Sequence, residues 1–109
     1  MEGRPQRRRH MIVVAILKVR RDLAEQFRDY ERRVAAIMRK HGGDIEHTVV
    51  VPAADDGDTF QEIHVMRFPS QEVFMAYQAD PDRRALESLR QAAIVETQVF
   101  VGEDGPDYR

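Results

Sequence analysis

The sequence predicts an α+β fold in which a four-stranded antiparallel sheet carries two helical segments in the order βαββαβ. Three observations predict it. An apolar stretch from Ile12 precedes a helical pattern that ends at a Gly-Gly pair, two strand-like stretches flank a polar turn, and a second helical pattern leads into a last strand-like stretch from Ile94. This order is typical of a ferredoxin-like sheet. At 109 residues the chain is expected to form one domain.

The first half of the chain contains a strand followed by a long helix. Residues 12–19 (IVVAILKV) are apolar at odd and even positions, which is typical of a strand buried on both faces. A helix is predicted from Asp22, with one apolar stripe at steps of three and four residues. The stripe consists of Leu23, Phe27, Tyr30, Val34, Ile37 and then Met38 or His41. His41-Gly42-Gly43 is expected to end the helix, because histidine suits the last turn and glycine suits the left-handed position after it.

The second half contains two strands, a broken helical segment and a last strand. Residues 45–51 and 60–68 are predicted to be strands joined by the polar turn at 52–59. Ser70 is a good N-cap for the next helix, and Asp80-Pro81 is expected to start a further helix that ends at Ala93. Residues 94–101 form the predicted last strand. The acidic residues Asp55, Asp56 and Asp58 are interpreted as a solvated turn, since the spacing of a calcium loop is missing.

Charge is unevenly distributed along a chain whose net formal charge is −2. Residues 1–10 carry +3, and we expect a basic flexible leader there, with the domain at 11–101 and an acidic tail at 102–109. An RNA-binding arm or a transit-like segment is the alternative for the leader. The slightly acidic body does not have the charge pattern of a nucleic-acid-binding surface, and no stretch is long enough to span a membrane. The absence of cysteine excludes disulfides and fits a cytoplasmic location.

The predicted sheet has more apolar surface than two helices can cover. Right-handed crossovers place both helices on one face of a sheet with strand order 4-1-3-2. The first and third strands are apolar on both faces, while the outer strands carry polar stretches at 46–48 and 96–98. Exposed apolar surface of that size marks an interface, and the simplest cover is the same face of a second copy. We therefore expect a homodimer; a ligand or a different protein is the alternative cover.

Several of these elements resemble a known family. They are Tyr30, His41-Gly42-Gly43, the strand 62–68 running into Pro69-Ser70, the stretch 74–77, Asp80-Pro81 and the helix 86–93. Over roughly Met11 to Val101 the chain resembles the small dimeric α+β barrels described as domain of unknown function 1330. The resemblance implies a homodimer related to the antibiotic biosynthesis monooxygenases, with a small-molecule cavity between sheet and helices and no cofactor.

The residues that could carry chemistry lie on the hairpin of the second and third strands. If Val51 pairs with Phe60, His47 faces His64 directly and Glu62 lies diagonal to His47 on the same face. Two imidazoles and a carboxylate suit a general acid–base site, which makes His64, His47 and Glu62 the catalytic candidates. A two-histidine, one-carboxylate metal site and a purely structural role are the alternatives. A shift of one residue in register would put the histidines on opposite faces.

Binding residues are predicted on the same face. Phe60, Met66 and Phe68 share the face that carries Glu62 and His64 and could line an apolar pocket. Tyr30 is a candidate donor, because a buried tyrosine hydroxyl needs a partner. Arg67 lies on the opposite face, where it could pair with a carboxylate across the dimer.

The sequence therefore predicts a homodimer that binds a small organic molecule, with no metal, no cofactor, no nucleic acid and no membrane. A cofactor-free monooxygenase- or isomerase-like enzyme with a histidine base is one alternative. A non-catalytic structural or regulatory dimer is the other.

Overall fold

The predicted order of elements is confirmed by a computed structural model that describes residues 10–52 and 57–109. Four strands and four α-helices are formed in this part of the chain. The strands are β1 (Met11–Arg20), β2 (Asp44–Val51), β3 (Thr59–Phe68) and β4 (Ile94–Gly102); the helices are α1 (Ala24–Lys40), α2 (Gln71–Gln78), α3 (Pro81–Arg84) and α4 (Glu87–Ala93), with a 3-10 turn at Arg21–Leu23 before α1. The leader up to residue 9, together with Asp55 and Asp56 of the polar turn, lies outside the described residues.

The strands form one antiparallel sheet in the order β2-β3-β1-β4, as the sequence predicts. The central strand β1 buries its odd-numbered side chains, from Val13 to Val19, beneath the helices. Its even-numbered side chains from Ile12 to Lys18 are only half-buried on the opposite face. Successive side chains of a strand point to opposite faces, so β1 presents apolar side chains both to the helices and to the opposite face of the sheet. We call the face turned away from the helices the outer face.

Helix α1 packs on the sheet through the predicted stripe. Its buried side chains are Phe27, Tyr30, Val34 and Met38. At its end Gly42 takes a positive φ of 86°, as expected of glycine after a helix. Gly43 is needed for space, because a Cβ atom there would lie 2.5 Å from the Phe68 ring and 2.8 Å from Met38.

Replacing Gly43 with alanine should therefore destabilise the domain. The added methyl group meets a fully buried ring, and overpacking of this kind costs about 1 to 3 kcal/mol. Chemical denaturation of the purified variant measures the loss. Gly105→Ala is the matched control, since nothing lies within 4 Å of that position and its stability should be unchanged. Equal stability of the two variants would contradict the close approach of Phe68.

The second helical segment begins at the predicted caps. Ser70 Oγ accepts a hydrogen bond from the Val73 amide at 3.1 Å, and Asp80 Oδ1 accepts one from the Asp82 amide at 2.8 Å. The helix predicted from Pro81 to Ala93 is instead two short helices. The Leu86 amide donates to the Arg83 carbonyl at 3.0 Å, three residues back rather than four, which tightens the chain between α3 and α4.

The register of the β2–β3 hairpin differs from the predicted one, and the predicted pairing of His47 with His64 is wrong. Thr48 lies opposite His64, while His47 lies opposite Val65. A register shift between Ile45 and His47 marks a bulge, which lets Ile45 lie on the helix side opposite Met66 while His47 lies on the outer face. His47 is consequently exposed on the outer face, and His64 is buried beneath the helices.

Arg67 has its carboxylate partners within the same chain. Its guanidinium donates to Glu46 at 2.7 Å and to Asp104 of the tail at 2.8 and 2.9 Å. These two carboxylates raise the pKa of Arg67 above its ordinary value, so it stays charged.

Among the described residues, no helix has the length and apolar character needed to cross a bilayer.

Candidate functional site

A cavity of about 140 Å³ lies between the sheet and the helices. Its apolar wall includes Val13 and Met66 of the sheet and Val34 of α1. Its polar lining includes Tyr30, Glu31 and His64. We call this space the sheet–helix cavity. It encloses His64 together with Tyr30, which is the arrangement that a binding or catalytic role for these two residues requires.

His64 lies between two carboxylates, and we call these three residues the His64 triad. Its Nε2 atom lies 2.8 Å from Glu62 Oε1, and its Nδ1 atom lies 3.6 Å from Glu31 Oε1. His64 and Glu62 are 4% and 7% exposed. Glu62 is thus the tight partner that orients the imidazole, while Glu31 faces the other ring nitrogen from α1.

The triad follows from the periodicities of its two elements. Glu62 and His64 are two residues apart on β3 and therefore project to the same face of the sheet. Glu31 lies four residues after Phe27 and three before Val34, so it belongs to the stripe of α1 that packs on that face. Helix and strand together bring one imidazole and two carboxylates into a space from which most water is excluded.

Two groups of the triad, Glu31 and His64, have a raised pKa, each for a different reason. The pKa of Glu31 rises from 4.5 to about 7, because burial and the charge of Glu62 outweigh the opposing attraction of His64. Burial by itself lowers the pKa of His64, but the hydrogen bond to Glu62 and the charges of both carboxylates outweigh it, so the net change is upward. Glu31 and His64 therefore hold a proton more readily than an exposed glutamate or histidine would.

The remaining polar lining comes from two tyrosines and two arginines. Burial raises the pKa of Tyr30 to about 12 and that of Tyr77 above its usual value, so both hydroxyls remain protonated donors. Arg83 of α3 and Arg90 of α4 line the cavity from the helix side. The Arg83 guanidinium lies 4.9 Å from the centre of the Tyr77 ring, a cation–π arrangement that fixes its plane.

The structure brings together only part of the predicted site. His64, Tyr30 and Met66 line the cavity, and Glu62 lies behind His64. Phe60 and Phe68 are buried but not among the residues lining it. Phe60 packs edge-on against Phe27 with ring centres 6.3 Å apart, and Phe68 packs against Phe74 at 4.9 Å. Neither ring is free to contact a ligand in this cavity.

Sequence reasoning missed Glu31, Arg83 and Arg90. Glu31 had a usable signal, because a charged residue at a stripe position of an amphipathic helix is unusual. Arg83 and Arg90 had no such sequence signal, since α3 and α4 are too short to show a helical period. The positions of the two arginines depend on the turn at Ala85 and Leu86.

The predicted metal alternative fails on geometry. It needs His47 and His64 on one face, and the hairpin places them on opposite faces. Within the two described ranges no group of three or more histidine, aspartate or glutamate side chains is arranged to hold a metal ion.

His41 has a structural contact, in line with its interpretation as a helix-end residue. Its Nε2 atom lies 2.7 Å from Asp80 Oδ2, and Lys40 Nζ lies 2.8 Å from the same oxygen. Lys40 and His41 hold the pKa of the Asp80 carboxyl well below its usual range. Asp80, buried at 6% exposure, therefore ties the end of α1 to the start of α3.

The sheet order and the helices on one face define a ferredoxin-like α+β domain, a fold shared with solved structures of a cofactor-independent oxygenase and a putative antibiotic biosynthesis monooxygenase. Within that class, the chain belongs to the family described as Domain of unknown function (DUF1330), whose model matches residues 2–103. No curated protein matches the chain by sequence.

Solved structures with the same fold are distant in sequence. The protein of unknown function RPA0582 from Rhodopseudomonas palustris is 17% identical with a TM-score of 0.74, and the match covers 93% of this chain and 86% of that one. SnoaB, a cofactor-independent oxygenase from Streptomyces nogalater, is 14% identical with a TM-score of 0.66, covering 91% and 96%. A putative antibiotic biosynthesis monooxygenase from Nitrosomonas europaea is 12% identical with a TM-score of 0.64, covering 88% and 90%. At these identities the comparison establishes the fold.

Proposed function

We propose that the protein binds a small organic molecule in the sheet–helix cavity. The observation that carries this proposal is that His64 and Tyr30 line one mostly apolar cavity of about 140 Å³. Ligand sites typically combine apolar walls with a few convergent polar groups, and cavities for drug-sized ligands start at about 300 Å³. The smaller volume here favours a compact ligand, such as one aromatic ring or a short chain with a polar head.

A screen of small organic molecules by thermal shift tests the proposal, because a ligand of the folded state raises the melting temperature. Val99 lines the cavity and is 54% exposed on β4, so Val99→Trp should obstruct the space without disturbing the core. Ligands found with the wild type should lose their effect on this variant. Val95→Trp is the control, because Val95 is 58% exposed on the same strand and does not line the cavity. Ligands that act equally on both variants bind elsewhere and refute the proposal.

A cofactor-free enzyme is the second candidate, and the Glu62–His64 distance of 2.8 Å favours it. A carboxylate that accepts the Nε2 proton leaves Nδ1 as the atom able to take a proton from a bound molecule. The carbanion or phenolate so formed could be reprotonated at another position, which is an isomerisation. It could also react with dioxygen, the type of chemistry named for SnoaB, a cofactor-independent oxygenase.

Exchange of carbon-bound protons separates the two candidates. Each ligand from the screen is incubated with the protein in deuterated water and followed by proton NMR. The enzyme candidate predicts that the wild type exchanges a ligand proton and that His64→Gln does not. Binding without exchange leaves the protein as a binding module, and exchange that survives in His64→Gln excludes His64 as the base.

We also propose that two copies associate through the outer face. Support comes from its apolar side chains, which remain half-buried or exposed in the single chain: Ile12, Val14, Ile16, Val49, Ile63, Val65 and Phe100. Val14 lies at the centre, opposite Val65 on one side and Phe100, 56% exposed, on the other. A two-fold pairing would bury this surface, as apolar patches of such extent require.

The cytoplasmic location stays a prediction from composition.

Placing a charge at Val14 should dissociate this dimer. Val14→Glu would bury a carboxylate without a partner in the interface, and we expect a monomer in sedimentation velocity at micromolar concentration, where the wild type is a dimer. Met75→Glu is the control, since Met75 is 56% exposed on α2 and lies on the helix side of the sheet. A wild-type monomer, or a Val14→Glu variant that stays dimeric, would contradict association through the outer face.

A further inference from the structure

One buried side-chain nitrogen of a residue that lines the cavity lacks a hydrogen-bond partner in the described part of the chain. Arg83 Nε is buried and has no hydrogen-bond partner among the residues that the structure describes. The same guanidinium donates from Nη1 to the Gln78 carbonyl at 3.4 Å, a long contact. Buried donors are nearly always hydrogen-bonded, and a charged donor left without an acceptor is costly. Arg83 therefore has unused hydrogen-bonding capacity at the wall of the cavity.

A second cation lies on the same side of the cavity. Arg90 lines it from α4 and is held by Thr97 Oγ1 at 3.2 Å and by Glu87 at 3.4 Å. Both arginines act electrostatically on Tyr30 and Glu31, where they oppose the upward shifts in pKa. Both arginines line the cavity, so α3 and α4 present two positive charges to it. The His64 triad is formed between α1, which carries Glu31, and β3, which carries His64 and Glu62.

We infer that the cavity takes a small organic carboxylate, with the anionic head on Arg83 and Arg90 and the rest of the molecule directed toward His64 and Tyr30. This inference rests on the proposed binding function and specifies its ligand class. A guanidinium presents its donors in a rigid fork that matches a carboxylate, and the unpartnered Nε is one arm of that fork. The apolar side chains between the two polar ends suit a ring or a short hydrocarbon chain.

The inference is tested with matched carboxylate and amide pairs of nearly equal shape, namely benzoate with benzamide, salicylate with salicylamide, and butyrate with butyramide. Binding is measured by chemical-shift titration of the wild type, Arg83→Gln and Arg84→Gln. Arg84 neighbours Arg83 on α3, is exposed and does not line the cavity, so its variant is the matched control.

We expect at least one carboxylate to bind the wild type about tenfold or more tightly than its amide, since hydrogen bonds to charged groups are worth that much. Arg83→Gln should weaken carboxylate binding more than amide binding and so reduce this preference, while Arg84→Gln should keep it. Equal binding of acid and amide to the wild type, or a preference in Arg83→Gln as large as in the wild type, overturns the carboxylate assignment and leaves the cavity as a binding site. If no compound of any pair shifts cavity signals, the carboxylate inference is wrong; a thermal-shift screen with no cavity-dependent ligand would refute the binding function itself.

Discussion

Replacing His64 with alanine is expected to lower the free energy of unfolding by about 3 to 5 kcal/mol at about pH 6, where the raised pKa keeps the imidazole charged, since this is the cost of breaking a buried ion pair by removing one partner. The reason is Glu62, which is 7% exposed and loses its contact at 2.8 Å. A carboxylate left in that position must either stay charged without a counter-charge or take up a proton. The loss should become smaller as the pH rises well above 6.5, because the stability that His64 gains from its raised pKa is lost there.

A second substitution tests whether the unpaired carboxylate of Glu62 causes the loss of stability in His64→Ala. In the His64→Ala background, Glu62→Gln removes the uncompensated charge and should restore part of the stability. His47→Ala is the control; the exposed side chain on the outer face should change stability by less than about 0.5 kcal/mol. Urea denaturation of the four proteins measures these differences. If His64→Ala is no less stable than His47→Ala, the buried pair does not exist as described.

Replacing Glu31 with glutamine is expected to stabilise the protein at about pH 8, by up to about 3 kcal/mol, and to change little at about pH 5. Folding raises the pKa of Glu31 from 4.5 to about 7, so the folded state holds this proton more tightly than the unfolded chain does. The resulting stability is complete below the unfolded-state value and is lost as pH rises through about 7. Glutamine cannot ionise and so avoids the loss.

His64 acts in the same direction as Glu31. Its pKa is raised above 6.5, so its contribution to stability is present below that value and is lost at higher pH. Asp80 acts in the opposite direction, because its lowered pKa means that stability is lost only as pH falls below 3.8. Wild-type stability should consequently fall from about pH 5 to about pH 8, and Glu31→Gln should flatten that slope.

Thermal or urea denaturation across this range measures the slope for the wild type and the variant. Glu25→Gln is the control, because Glu25 is exposed in the first turn of the same helix and should leave the slope unchanged. A wild-type stability that rises with pH over this window would show that Glu31 is not a buried carboxyl facing His64.

The fold was predictable because several local signals agreed. The apolar stretch at 12–19, the stripe through Phe27 and Val34, and the cap at Ser70 each fixed one element without reference to the others. The order of the elements then predicted the correct strand order, and the polarity of the outer strands agreed with it. Signals of this kind survive in a single sequence because they depend on periods of two or of three and four residues.

The site was predictable only in part, because it depends on distances between elements. His64 and Tyr30 were identified from their positions on a strand and a stripe. The register at the turn, where Val51 lies opposite Gln61 rather than Phe60, has no sequence signal as strong as a strand pattern, and it places His47 away from His64. Arg83 reaches the cavity through a turn between two short helices, which no periodicity could reveal.

The central claim, that the sheet–helix cavity is the ligand site, is tested most directly by NMR of the histidine rings. The chain has four histidines, and three of them, His41, His47 and His64, lie in separate surroundings within the described structure. Titration with a ligand from the screen should shift the ring signals of His64 and leave those of His41 and His47 in place. A ligand that shifts His47 or His41 while the His64 signals stay fixed would contradict the claim.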